Sequence, residues 1–171
     1  MSNILEDEKL LAFRKAFDNG EFSMNTEKYM DEIKNIHITR SIRTLSSSQI
    51  QKDINTVIDA ILQNQANRSR IVEIKMLCTR LVTKVGFRKD ALINYIKVKY
   101  REELKTLGRT QADKNAYIEE LFSFTNTSSS QLQTLQNFCD LVISDIDTAG
   151  WSLKSVIDCL KITDIANKIV T

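Results

Sequence analysis

Proline is absent from the 171 residues, and glycine occurs only four times. Average usage would put about eight prolines in a chain of this length. Without these two breakers long helices meet no obstacle, and turns fall to Ser, Asn and Thr. A single histidine, His37, excludes a two-histidine metal site within one chain. A serine or cysteine nucleophile would need that same His37 as its base, and no nucleophile signature surrounds it. "AGWSLK" is not GxSxG, and neither a Walker A loop nor GxGxxG occurs. The three cysteines, Cys78, Cys139 and Cys159, form no CxxC pair and suit reduced thiols in an intracellular, cytoplasmic protein. No apolar run approaches the ~18 residues of a membrane span. The opening "MSNILEDEKLL" is acidic and unlike a signal peptide. These shortages argue against an enzyme, a cofactor and a membrane partner.

What the chain has is helical periodicity. Leu10, Phe13 and Phe17 share one face of a helix over Ile4–Asp18, which Gly20 closes in the left-handed conformation. A second helix starts near Asn25 and carries Tyr29, Ile33 and Ile36; beyond it "HITRSIRTL" also allows a strand. Ser46–Ser48 starts a third helix, with Ser48 and Gln51 at capping-box spacing, and its stripe runs from Ile50 to Leu62. The polar interval Gln63–Arg70 reads as a turn before the stripe resumes through Ile71, Ile74, Leu77, Cys78, Leu81, Val82 and Val85.

Gly86 predicts a bend or short break, and Gly108 ends the next stripe, Leu92–Leu107. Thr110 and Asp113 resemble a capping box for a short helix through Phe122. "SFTNTSSS" reads as a polar linker, Gln131–Ala149 as a helix ended by Gly150, and Trp151 as the start of a last amphipathic piece. The expected fold class is all-α, an amphipathic helical bundle with coiled-coil-like packing and oligomeric. Three regions are expected: 1–45 N-terminal, 46–122 central and basic, and 131–171 for packing and oligomerisation. In the last of these, Leu135, Phe138, Val142, Ile146 and Trp151 are the candidate contacts. Trp151 suits a packing anchor at a corner; the sharper alternative is an interface hot spot.

The net charge of +2 conceals an asymmetry. Residues 68–114 hold thirteen Lys/Arg against five Asp/Glu, between acidic flanking regions. Helical geometry puts Lys97, Arg101 and Lys105 in one row, and Arg80, Lys84 and Arg88 in another if the helix persists through Gly86. Lys89, Lys99 and Arg109 add to the field. Rows of cations track phosphates, and an accessible Tyr95 or Tyr100 would stack on unpaired bases. The alternative is a solvated helix, its charge offset by Glu102 and Glu103 and with Tyr100 in the core. An acidic row, Asp140, Ser144 and Asp147 with Asp145 beside it, suits a solvated face or a basic partner better than Mg²⁺.

"IKVKYREELK" (Ile96–Lys105) and "LQTLQNFCDLVISDIDTAGWSLKSVID" (Leu132–Asp158) resemble the UvsY-type recombination mediators of T4-like phages. The second stretch is similar in its Phe138–Cys139 pair, Ile146 and the Gly150-aromatic-x-x-Lys154 arrangement, and the resemblance spans residues 92–158. It implies an oligomeric protein that binds single-stranded DNA and helps load a recombinase on strands covered by single-strand-binding protein. Lys97, Lys99, Tyr100 and Arg101 would then contact DNA, and Gln131–Ala149 would pack in the oligomer. Composition independently reaches polyanion binding, and with no catalytic groups the first expectation is a non-enzymatic protein that binds single-stranded nucleic acid; the competing expectation is a helical scaffold, adaptor or virion assembly protein.

Overall fold

In a computed structural model, residues 3–39, 54–107 and 110–170 are described, and among them no strand occurs. Among the described residues six α-helices follow in order: α1 (Glu8–Asp18), α2 (Thr26–Thr39), α3 (Ile54–Lys99), α4 (Arg101–Leu107), α5 (Gln111–Leu121) and α6 (Asn126–Val170). Short 3₁₀ turns, Ile4–Glu6 and Ser123–Thr125, precede α1 and α6. The fold is all-α. The ambiguous "HITRSIRTL" stretch is helical as far as Thr39. The Ser46–Ser48 start, the Ser48–Gln51 cap, Gly108 and Arg109 lie outside the described residues.

Two helices are longer than their glycines and polar intervals predict. The 46-residue α3 runs through both Gln63–Arg70 and Gly86, so the expected turn and break do not occur. Asn64 is buried on the helix, while Arg68 and Arg70 reach carboxylates on other helices. The polar interval therefore makes tertiary contacts without turning the chain. The 45-residue α6 likewise passes through Gly150, and "SFTNTSSS" is a 3₁₀ turn followed by the first residues of that helix. A helical glycine costs about 1 kcal/mol against alanine, which packing over a long apolar stripe outweighs.

Other local signals behave as their chemistry requires. Gly20 has φ 78° and accepts from the Ser23 hydroxyl through its carbonyl oxygen. Thr110 caps α5 reciprocally: its hydroxyl oxygen accepts from Asp113 N–H at 3.1 Å, and the Asp113 carboxylate accepts from Thr110 N–H at 2.9 Å.

The chain forms two compact units, each drawn from two separated stretches. The first comprises Met1–Thr26 and Leu77–Thr134. Five of the seven phenylalanines, Phe13, Phe17, Phe22, Phe122 and Phe124, meet in its core. Phe13 stands edge-on to Phe17, Phe22 and Phe124 with ring centroids 5.4, 5.5 and 5.8 Å apart. Such pairs add about 0.5–1.5 kcal/mol beyond the area they bury. Ile96, Tyr100 and Leu104 bring the α3–α4 segment onto this cluster.

The second unit comprises Glu27–Met76 and Leu135–Thr171. Val57, Ala60 and Leu153 are buried together, with Ile61 and Ile157 against them. Arg68 pairs with Asp147, and Lys75 with Asp140. Seven residues forward on α3 match seven back on α6, so these helices are antiparallel here. Arg70 grips Glu32 of α2 through two bonds, 2.6 and 3.2 Å, and the Arg70 contact holds the Glu32 carboxyl below its ordinary range. Exposed pairs of this kind contribute at most about 1 kcal/mol each, so they fix register more than stability.

Candidate nucleic-acid interface

The basic centre belongs to the first unit and lies along α3 and α4. Although Tyr100 separates the two helices, the turn-to-turn bonding continues through it. Tyr100 N–H donates to Ile96 C=O at 3.0 Å, and Leu104 N–H to Tyr100 C=O at 2.9 Å. Side chains seven apart therefore stay on nearly one line along the segment. Two such lines run side by side: Arg80, Phe87, Asn94, Arg101, and Lys84, Ala91, Val98, Lys105. All eight residues are exposed. The strip carries cations at both ends and apolar surface at its middle, where Phe87 and Val98 are 77% and 80% exposed. From Arg80 to Lys105 it spans roughly 38 Å.

The predicted cations divide by what holds them. Among the described residues Arg80, Lys84, Lys97 and Arg101 have no carboxylate within ion-pair distance, and Lys84 lies 5.1 Å from the centre of the Phe22 ring. Arg88 also lies over Phe22 and is 4.0 Å from Glu21. Lys105 meets Glu102 one turn back, and Lys89 is bound to Glu119 at 2.8 Å. Lys97 faces a hollow shared with Asp90 and Glu119, off the main strip.

Lys99 and Tyr100, both expected at the interface, are bound to a carboxylate from the N-terminal stretch. Asp7, only 3% exposed, accepts five hydrogen bonds. Two come from Lys9 N–H and Leu10 N–H, which makes Asp7 the N-cap of α1. Three come from Tyr95 Oη at 3.1 Å, Lys99 Nζ at 2.8 Å and Tyr100 Oη at 2.7 Å. Burial pushes the Asp7 carboxyl upward, and the bonds from Lys99, Tyr100, Leu10 and Tyr95 outweigh it. The group is held far below the ordinary carboxylate range. The Asp7 bond in turn raises Lys99, and that bond together with burial raises Tyr100. Tyr100 is a core residue at 4% exposure, and neither it nor Tyr95 offers a free ring for stacking. Among the described residues of this unit the exposed aromatic is Phe87, which the sequence pattern did not single out. The seven-residue spacing Arg80–Phe87–Asn94–Arg101 was the signal for it.

The candidate oligomer contacts are mostly used within the chain. Leu135 and Val142 are 0% exposed, Ile146 is buried and Phe138 half-buried. Trp151 is 70% exposed and mid-helix, so it is not the packing anchor at a corner that its place after Gly150 suggested. The acidic row is also engaged: Asp140 with Lys75, Asp147 with Arg68, and Asp145 with His37 Nδ1 at 3.2 Å. Among the described residues no group of three His, Cys, Asp or Glu is placed to hold a metal ion. No described helix is long and apolar enough to cross a membrane. Cys78 and Cys139 are buried, and burial raises the Cys78 thiol, which suits a core side chain. Comparison with protein-family models, curated proteins and solved structures finds no match for this chain.

Proposed function

We propose that the protein binds single-stranded nucleic acid without catalysis, using the α3–α4 strip of its first unit. The observation that carries this reading is the exposed Phe87 between cations lacking carboxylate partners. Arg80 and Arg101 share its line, and Lys84 lies one turn away. Aromatic rings stack on unpaired bases of any identity, while flanking cations follow the phosphates. A duplex hides its base faces, so such a strip favours single strands.

Anisotropy of a labelled oligonucleotide, titrated between about 50 and 200 mM salt, tests the proposal. Each phosphate contact adds about −0.7 to the logarithmic salt slope for a single strand, so replacing Arg80, Lys84 and Arg101 by Ala flattens it by about 2. Phe87→Ala lowers affinity about tenfold, because stacking contributes about 1–3 kcal/mol per base. Unchanged affinity and slope in both variants would refute the interface.

The resemblance of residues 92–158 to UvsY-type mediators extends this reading to recombinase loading on strands covered by single-strand-binding protein. Its test is recombinase filament assembly on such strands with and without the protein. Self-association is supported by the exposed apolar side chains Ile58, Leu62 and Leu141 of the second unit, and light scattering during size-exclusion chromatography measures it. If the protein self-associates and no nucleic acid binds, the scaffold reading takes over.

A further inference from the structure

The second unit contains a hollow of about 410 Å³ where Asn64 of α3 faces the Gly150 region of α6. Its deepest lining residues are Asn64 and Ile146, 2% and 3% exposed. The Asn64 amide is the anomaly. Both its oxygen and its nitrogen are buried, and neither has a hydrogen-bond partner. A buried amide without partners costs about 1–3 kcal/mol, and an apolar residue of the same size would avoid that cost. Gly150 helps to keep the space open: a Cβ built there would meet nothing within 4 Å. At the rim stand the Trp151 indole, 70% exposed, and Lys154, whose ammonium lies 5.6 Å from the indole centre. Lys154 forms no ion pair among the described residues, whereas Arg68 on the same rim is held by Asp147 through bonds of 2.7 and 3.1 Å.

We propose that this hollow takes one unpaired nucleobase, with the indole as stacking face, the Asn64 amide as hydrogen-bonding group and Lys154 as phosphate contact. An amide presents donor and acceptor side by side, as base edges do. A flat indole stacks on any base, and a lysine without a carboxylate partner adds the charge that a nucleotide supplies in opposite sign. A second copy of the chain would need surface complementary to a cation and a buried amide; a nucleotide carries both complements in one molecule. The inference rests on the nucleic-acid reading above but uses residues of the other unit.

Trp151 is the only tryptophan, so its emission reports this hollow alone. The full chain is titrated with a labelled single-stranded oligonucleotide while label anisotropy and Trp151 emission are read together. Emission is expected to be quenched as anisotropy rises. Asn64→Leu and Gly150→Leu, which remove the amide and fill the space, are expected to abolish quenching, and Trp151→Ala to weaken binding about tenfold. Circular dichroism confirms that each variant folds, and either folded variant suffices. A rise in anisotropy with unchanged emission overturns the base site and leaves the α3–α4 interface standing. Quenching that survives in a folded leucine variant overturns it as well. An emission shift that depends on protein concentration without oligonucleotide assigns the hollow to a second copy instead. No anisotropy change at any salt overturns the nucleic-acid reading and this inference with it.

Discussion

Replacing Asp7 separates two contributions that this one carboxylate combines. Asparagine is as good an N-cap as aspartate, so Asp7→Asn keeps acceptance from Lys9 N–H and Leu10 N–H. It also brings an NH₂ group into a site already supplied with donors by Tyr95, Lys99 and Tyr100. At least one donor then loses its acceptor, at a cost of about 2 kcal/mol. Asp7→Ala loses the cap as well, about 1 kcal/mol more, for a total of about 3. That total sits at the low end for a broken buried charge because the Lys99 side chain is 45% exposed and water screens its share. With a urea m-value of about 2 kcal/mol/M, the midpoint falls by about 1 M for Asn and 1.5 M for Ala.

The pH dependence has a definite sign. A carboxyl held below its unfolded value of about 3.9 stabilises the fold above that pH, and the contribution is lost as pH falls further. The gap between wild type and Asp7→Asn is therefore full at pH 7 and narrows below about pH 4. Urea denaturation by circular dichroism measures the gap, and hydrogen exchange over residues 3–26 shows whether the loss is local. A gap under 0.5 kcal/mol at neutral pH (roughly the uncertainty of such fits), or one that stays constant on acidification, would show that Asp7 is not the hub described.

Two further outcomes follow from the same geometry. Gly86→Ala and Gly150→Ala each stabilise by up to about 1 kcal/mol, since both glycines are mid-helix and an added Cβ meets nothing within 4 Å; a destabilised alanine variant in urea titration would mean that the helix needs the glycine. Tyr100→Phe lowers the melting temperature and leaves oligonucleotide affinity unchanged, because the hydroxyl serves Asp7 inside the core; an affinity loss in a folded variant would return Tyr100 to the interface.

The helical class was legible because the stripes are long and the breakers few. Thr110 with Asp113 and the left-handed Gly20 were legible for a different reason, since each motif is complete within four residues. The errors came from partners distant in sequence. Lys99 looks like a free cation until Asp7, more than ninety residues earlier, is placed beside it, whereas the core alternative for Tyr100 was already readable from its place on the apolar stripe. Gln63–Arg70 reads as a turn until Glu32 and Asp147 receive its arginines. Gly86 and Gly150 carry a local penalty that a sequence shows, while the packing that overrides it comes from the rest of the unit. Phe87 was missed because it falls between the two stripes, at the break expected at Gly86, and only the continuous helix places it outward on the line with Arg80 and Arg101.

The interleaving of the two units along the chain sets an order of synthesis. Residues 1–26 acquire their remaining partners when 77–134 have been made, so the first unit is complete in a chain ending at residue 134. At about 5–20 residues per second, residues 27–76 wait several seconds longer for 135–171. Through that interval Val57 and Ala60 lack Leu153, the residue they are buried with. A chain stopped at residue 134 therefore leaves Val57 and Ala60 without the residue that buries them, since Leu153 has not been made.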